Sequence, residues 1–290
     1  MSRSVFVTGA RGKTGREVIA QLGQRADAMV RGGSSLDPTA VADVVRFSWD
    51  DRSTWGRAVE GMDAIYLMRP DVPDAPDLIT HLVALTPGSH IVLLSEQGAH
   101  TLADDEWVRQ VELAVTSGAG SWTILRPSWF QQVLIDPRYF LTTIVEERMI
   151  SLPTGGAPIA WIDTRDIAAV AVQALVEPDL HHGKAYTLTG PEGVTLASLA
   201  EDISSAIGDH VRPFDPPLED ALSGADRWTR EVVGGMFGRV REGIFAEVTT
   251  TVEEVTGQLP RGIGRFIAEN QASWAGQATA PSDTQMGRTR

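Results

Sequence analysis

Three glycines at regular spacing mark the first stretch of the chain that could do chemistry. Residues 5–15 contain Gly9, Gly12 and Gly15, each three positions after the last, behind an apolar run that indicates a buried strand and ahead of a helical pattern. Glycines at these positions let the chain turn sharply and let its backbone approach a pyrophosphate, which the N-terminus of the helix stabilises. The pattern predicts a dinucleotide site; a glycine-rich turn without a ligand is the alternative. The residues assigned to this site are Thr8, Gly9, Arg11, Gly12, Lys13, Thr14 and Gly15.

The end of the second predicted strand, residues 28–31, indicates which dinucleotide is bound. NAD sites usually carry Asp or Glu about 20 residues beyond the loop, whereas NADP sites carry an arginine for the 2′-phosphate. Here the strand is predicted to end on Arg31, and Asp27 comes too early. Arg11 and Lys13 add positive charge on the same side. We therefore predict NADPH (NADP) as cofactor, with Arg31 as a merely solvated residue as the alternative.

The bulk composition excludes several classes of partner. The chain has 290 residues and a net charge of −13, so nucleic acid and anionic membranes repel it. The absence of cysteine excludes disulfides and thiolate chemistry, and His181 and His182 have no third ligand at metal spacing, so no metal site is predicted. No apolar run approaches the roughly 20 residues of a membrane helix, and no signal peptide is recognisable. We expect a cytoplasmic protein with a small-molecule substrate; a homodimer is left open.

Alternating strand and helix patterns predict the fold class. Strands are predicted at residues 4–8, 28–31, 44–47, 64–68, 90–95 and 122–125, and helices at 15–22, 51–60, 78–85 and 104–117. Such βαβ units indicate an α/β fold, a Rossmann-like doubly wound parallel sheet. A smaller C-terminal α/β substrate lobe is expected to follow it.

The predicted domain boundaries follow from where this alternation stops. Residues 1–176 form the predicted NAD(P)-binding domain, including a helix at 164–176 that returns to the sheet. Residues 128–152, with a helix predicted at 129–149, line the cleft. The smaller substrate lobe covers residues 177–275 and includes a strand at 185–188. Residues 276–290 are predicted to be a disordered tail.

Several segments together resemble one protein family. The glycine spacing is joined by residues 49–55 (Trp-Asp-Asp-Arg-Ser-Thr-Trp), 123–130 (Thr-Ile-Leu-Arg-Pro-Ser-Trp-Phe), 161–168 and 186–191. These resemble the NmrA-like group of atypical short-chain dehydrogenases/reductases, and the resemblance covers residues 4 to about 275. Within the group, the chain is similar to bacterial relatives of the reductases of ergot-alkaloid biosynthesis.

The resemblance implies further cofactor contacts. It places Asp50 beside the adenine ring, and Met68, Arg69 and Pro70 along the central part of the cofactor. It places Ser95 near the nicotinamide, and Pro127 and Ser128 on either side of the nicotinamide at the mouth of the substrate cleft.

The candidate catalytic residues depart from the family pattern. The main short-chain family uses a Tyr and a Lys four residues apart, and no tyrosine here has a lysine at that spacing. Ser95 and Tyr139 are the remaining candidates, with a helix-capping serine and a packed tyrosine as alternatives. Ser128, Trp129 and Phe130 are predicted to bind the substrate, the two aromatic rings forming an apolar wall or, alternatively, packing in the core. Glu112 is predicted to lie on a solvated helix face.

These observations favour an enzyme. The predicted function is an NADPH-dependent reductase that transfers hydride to a quinone, enone or imine without the Tyr/Lys pair. The alternatives are a non-catalytic NADP(H)-binding regulatory protein and a cofactor-bound isomerase or cyclase.

Overall fold

The computed structural model describes residues 2–35 and 44–275. The predicted disordered tail, residues 276–290, lies outside the described residues. Within them the strands are β1 (Arg3–Val7), β2 (Ala28–Ser34), β3 (Val44–Arg46), β4 (Ala64–Met68), β5 (His90–Leu94), β6 (Ser121–Pro127), β7 (Met149–Ser151), β8 (Lys184–Leu188) and β9 (Arg212–Phe214).

Helices connect and cover these strands. They are α1 (Gly15–Leu22), α2 (Trp55–Val59), α3 (Ala75–Ala84), α4 (Trp107–Gly118), α5 (Leu141–Glu146), α6 (Thr164–Val176), α7 (Pro178–His181), α8 (Leu196–Ile207), α9 (Leu218–Ala221), α10 (Arg227–Arg241), α11 (Thr251–Thr256) and α12 (Ile263–Trp274). No helix in residues 2–35 and 44–275 is long and apolar enough to span a membrane.

Seven of the described strands form one parallel sheet in the order β3-β2-β1-β4-β5-β6-β8. All five residues of β5 are buried, as expected for a strand with helices on both faces. The strand order reverses between β1 and β4, and ligands of such sheets bind at the carboxyl ends of the strands beside this switch point. The predicted Rossmann-like doubly wound sheet is confirmed.

The two faces of the sheet carry separate cores. Helices α1, α6 and α11 pack on one face, where Val170 and Leu175 of α6 are fully buried. Helices α2, α3 and α4 cover the other face. Helix α6 begins after Asp163, whose carboxylate accepts the backbone N–H of Arg165. The helix predicted at 164–176 therefore forms and returns to the sheet.

A third core lies outside the sheet and gathers residues of α5, α8, α10 and α12. The predicted helix at 129–149 is wrong. Residues 131–135 form a 3₁₀ turn, and α5 and β7 follow it. Pro137 lies between the turn and α5, where its ring and missing N–H oppose a continuous helix. β7 pairs with β9, a two-stranded sheet that the sequence patterns did not indicate.

The strand predicted at 185–188, within the expected substrate lobe, forms as β8. β8 is the edge strand of the main sheet, parallel to β6, and does not belong to a separate small sheet. Helix α6 provides the crossover that a parallel pair of strands requires. The division at residue 176 stays a prediction.

A buried histidine lies at the amino edge of the sheet, far from the glycine loop. His90 Nδ1 lies 2.6 Å from Ser121 Oγ and its Nε2 lies 3.0 Å from Thr123 Oγ1. Thr123 Oγ1 donates to the carbonyl of His181, which leaves it to accept the Nε2–H of a neutral imidazole. Burial, aided by positive charge on His182 and His181, lowers the pKa of His90 to about 4.

The protein is expected to lose stability as the pH falls from about 6.5 to about 4. The unfolded chain takes up a proton on His90 near pH 6.5, whereas the folded chain does so only near pH 4. The free energy of unfolding should fall by about 2 kcal/mol between pH 7 and pH 5 through this group. Urea titrations at the two pH values measure it. The His90→Gln variant should lose most of this difference, and an equal pH dependence in both proteins would contradict the assignment.

Candidate functional site

The glycine loop follows β1 at the switch point and is tied to the end of β4. The Thr8 hydroxyl donates to the carbonyl of Tyr66 (3.2 Å) and accepts the backbone N–H of Met68 (2.7 Å). Gly9 has φ +60°, and a Cβ there would overlap the Met68 side chain. The left-handed conformation favours glycine at position 9, whereas the flexible end of Met68 could shift to relieve the contact.

The other two glycines bring the loop onto the start of α1. A Cβ on Gly15 would overlap the carbonyl of Gly9, and the Gly12 N–H donates to that same carbonyl at 2.8 Å. The first bond leading into the helix runs from Arg16 N–H to Gly12 O. The N-terminus of α1 therefore lies at the carboxyl ends of β1 and β4, a region referred to as the crevice, and this arrangement fits a pyrophosphate.

Arg31 does not end the second strand. β2 continues to Ser34, and the loop rests on it through a bond from Ala10 N–H to the carbonyl of Gly33. The Arg31 guanidinium instead donates to the carbonyls at the end of α2, those of Arg57, Ala58 and Glu60, at 3.1–3.5 Å. These bonds hold the guanidinium at the end of α2 and speak against a role at the 2′-phosphate. The assignment of Arg31 to that phosphate stays a prediction.

Replacing Arg31 by alanine should leave the preference between NADPH and NADH unchanged within about twofold. The variant loses bonds to the last carbonyls of α2, so the free energy of unfolding should drop by about 1–2 kcal/mol. Fluorescence titration with both cofactors measures the preference. Arg11→Ala is the comparison, because Arg11 lies in the loop next to the end of β2. A selective tenfold loss of NADPH affinity in Arg31→Ala would support the assignment to the 2′-phosphate.

The residues after β3 and β4 lie at the same carboxyl edge. Asp50 is exposed in a turn in which its N–H donates to Ser48 Oγ at 3.3 Å. Met68 contacts the glycine loop, and Arg69 turns toward Glu96, its Nη2 lying 2.7 Å from Glu96 Oε2. Asp50, Met68, Arg69 and Pro70 thus follow the edge along which the resemblance places the cofactor.

Ser95 follows β5 and contacts a buried carboxylate. Its hydroxyl donates to Glu112 Oε1 at 2.7 Å, and Glu112 is fully buried. The predicted solvated face is therefore wrong for Glu112. Arg126 donates to both Glu112 oxygens at 2.8 and 2.7 Å, and Arg109 adds a bond at 3.2 Å. Burial alone would raise the pKa of Glu112, but the bonds from Arg126 and Ser95 outweigh it and hold the pKa below its usual value.

The segment after β6 forms the wall of the crevice. The Ser128 side chain follows Pro127 and is 2% exposed, and its hydroxyl has no hydrogen-bond partner among the described residues. The Trp129 ring stacks on Phe237 at 6.1 Å between centroids and meets Trp161 edge-on at 5.8 Å. Phe237, on α10, is a wall residue that the sequence analysis missed.

The structure brings a lysine to Tyr139, although the two are remote in sequence. The Lys13 ammonium lies 4.5 Å from the centre of the Tyr139 ring and pairs with Asp136. Arg138 pairs with the same carboxylate, and these two cations hold the pKa of Asp136 well below its usual range. Lys13 lies over the face of the ring and not at its hydroxyl, and Tyr139 is 56% exposed. Lys13 therefore links the glycine loop to the segment beyond β6.

Comparison with known proteins extends this description. No protein-family model matches the chain. Festuclavine synthase II of Penicillium roqueforti is 30% identical over 295 residues, covering 94% of this chain and all of that one. The NAD(P)H azoreductase of Xenophilus azovorans is 29% identical over 286 residues, covering 93% of this chain and 99% of the azoreductase.

Solved structures show the same fold at lower identity. The NADPH complex of the quinone oxidoreductase QOR2 from Escherichia coli matches with a TM-score of 0.76 at 20% identity, covering 91% of this chain and 99% of that one. NmrA, a negative transcriptional regulator in complex with NADP, matches with a TM-score of 0.68 at 13% identity, covering 92% and 95%.

The full-length relatives, the fold and the glycine loop define the class of protein. The chain belongs to the NmrA-like atypical short-chain dehydrogenases/reductases.

Proposed function

We propose that this protein is an NADPH-dependent reductase of a small or medium organic substrate such as a quinone, an enone or an imine. The observation that carries the proposal is the glycine loop at the switch point, where Gly9 has a positive φ and the Gly9 carbonyl leaves no room for a Cβ on Gly15. The NAD(P)H azoreductase, matched over nearly its whole length, supports a reductase.

Each group of residues in the crevice has its own role in the proposed reaction. Bound NADPH supplies a hydride to an electrophilic carbon of the substrate. The N–H groups at the start of α1 bind the pyrophosphate. In this proposal the Ser128 hydroxyl, which is buried without a partner among the described residues, donates to the nicotinamide amide or to a substrate oxygen. Trp129 and Phe130 offer an apolar surface that orients a flat substrate and excludes water.

The direct test follows NADPH oxidation with a panel of quinones, enones and imines. Turnover of at least one class, dependent on NADPH and lost in a Gly12→Val variant, would support the proposal. Binding of NADPH without turnover of any panel member would favour the regulatory alternative. The absence of a Tyr and a Lys four residues apart also supports that alternative. Rearrangement of a substrate without net NADPH consumption would favour an isomerase or cyclase.

No single side chain is expected to be indispensable as proton donor. Tyr139→Phe and Ser95→Ala should each lower kcat by less than about tenfold, because Tyr139 is half exposed and the Ser95 hydroxyl is bonded to Glu112. General acid catalysis typically contributes 10²–10⁴-fold, so loss of a true donor would be unmistakable. The measurement is kcat with a substrate that the wild type reduces. A thousandfold loss for Tyr139→Phe, at unchanged NADPH affinity, would identify a dedicated acid.

A further inference from the structure

Two arginines share one carboxylate beside the crevice. Glu96 follows Ser95 at the carboxyl end of β5. One of its carboxylate oxygens pairs with Arg69 and the other pairs with Arg239. The side chains of Arg69, Glu96 and Arg239 are only 14%, 14% and 8% exposed. Arg69 follows the end of β4 and Arg239 lies on α10, so this cluster joins the sheet to the third core.

The cluster has more donors than acceptors. The Nε atoms of Arg69 and Arg239 are buried, and neither has a hydrogen-bond partner among the described residues. The nearest further carboxylate, that of Asp71, lies 3.8 Å from Arg69 Nε and its side chain is 82% exposed. The buried guanidinium of Arg239, the partly buried guanidinium of Arg69 and the partly buried carboxylate of Glu96 leave a residual charge of about +1. Since an uncompensated buried cation is costly, the cluster is complementary to an anion.

Helix α10 extends this cluster into a surface. Trp228, Gly235 and Arg239 lie on the same face of α10 at helical spacing. Trp228 meets Trp107 edge-on at 5.7 Å, and the Arg69 guanidinium lies 4.9 Å from the centre of the Trp107 ring. The indole N–H of Trp228 is also buried without a partner in the described part of the chain. A Cβ at Gly235 would meet only Arg239 Nη1, at 3.6 Å, so the face is open between Trp228 and Arg239.

We propose that Arg69, Glu96 and Arg239 form a subsite for an anionic group of the substrate, so that the favoured substrates are aromatic or conjugated molecules carrying a carboxylate, sulfonate or phosphate. This inference rests on the proposed function, because that function is what puts the subsite next to the nicotinamide. An oxyanion bound there accepts hydrogen bonds from the Nε–H groups of Arg69 and Arg239, which lack a partner among the described residues, and neutralises the residual positive charge. The pyrophosphate of the cofactor is also an oxyanion. The test below therefore distinguishes an anionic group of the substrate from the cofactor pyrophosphate.

The test is calorimetry on the full chain saturated with NADPH, which does not require turnover. The probes are naphthalene-2-sulfonate and its neutral analogue naphthalene-2-sulfonamide. The sulfonate should bind at least tenfold more tightly than the sulfonamide, and Arg239→Gln should weaken sulfonate binding by about 10- to 100-fold. The sulfonamide Kd should change little in that variant. Arg230→Gln, an exposed arginine on the same helix, is the matched control and should change nothing.

A second variant keeps the test decisive if Arg239→Gln folds poorly. Glu96→Gln removes the competing carboxylate charge and should tighten sulfonate binding several-fold. Equal binding of the two probes, or no sulfonate binding up to the millimolar range, overturns the proposal. A loss of NADPH affinity in Arg239→Gln at unchanged sulfonate binding assigns the cluster to the cofactor and also overturns it. If the wild type does not bind NADPH, the proposed function itself fails.

Discussion

Replacing Gly12 by valine is expected to remove NADPH binding while leaving the sheet folded. A Cβ at position 12 would lie 3.1 Å from the carbonyl oxygen of Gly9 and 3.5 Å from the Met68 side chain, so the loop can barely accept a methyl group. The two further methyl groups of valine would occupy the space over the loop that the pyrophosphate needs. Loss of two charge-assisted bonds, about 1.5–3 kcal/mol each, weakens binding by more than about 100-fold.

Calorimetry with NADPH measures the effect of Gly12→Val, and far-UV circular dichroism checks the fold. The matched control is Gly88→Val, in the loop before β5 at the opposite edge, where a Cβ would meet nothing within 4 Å. The control should bind NADPH as the wild type does. Near-native affinity in Gly12→Val would place the dinucleotide elsewhere and remove the basis of the proposed function.

Replacing Glu112 by leucine is expected to lower the free energy of unfolding by about 3–5 kcal/mol. The substitution leaves the Arg126 guanidinium, only 12% exposed, without the carboxylate that accepts two of its N–H groups. It also removes the acceptor of the Ser95 hydroxyl. A buried cation without a partner is far more costly than a pair replaced as a whole by apolar side chains.

The Glu112 prediction is tested by urea unfolding of three variants. Glu112→Leu should show the full loss, and the double variant Glu112→Leu/Arg126→Leu should recover a large part of it. Glu201→Leu, at an exposed position of α8, is the control and should change stability by about 0.5 kcal/mol or less. A loss below about 1 kcal/mol in Glu112→Leu would show that the carboxylate is not needed to compensate Arg126.

A closer look at spacing could have placed Glu112 in the interior. It falls within the apolar stripe of Val108, Val111 and Val115, which recur at i, i+3 and i+7 of α4. A carboxylate in such a stripe is buried only when a cation reaches it. That cation, Arg126, lies on β6, and only the packing of α4 against the sheet brings the two together.

The length of β2 shows a different limit of prediction from sequence, namely where a strand ends. The predicted strand ends on Arg31, directly before Gly32 and Gly33, and glycine inside a strand generally weakens it. The structure shows that both glycines are inside β2 because neighbouring groups approach closely. A Cβ on Gly32 would lie 3.0 Å from the Ala10 Cβ, and one on Gly33 would lie 2.6 Å from the Phe6 ring.

The sequence by itself determined the sheet and the glycine loop. Both are local signals, because apolar runs, helical periodicity and glycine spacing depend on residues close together along the chain. Tertiary structure decided which charged groups meet. Lys13 reaches Asp136, Arg31 reaches the end of α2, and Arg69 shares Glu96 with Arg239. Long flexible side chains such as those of Lys and Arg can reach many partners. Which partner they pair with is decided only when the helices and strands pack, because a charge buried by that packing needs a group that neutralises it.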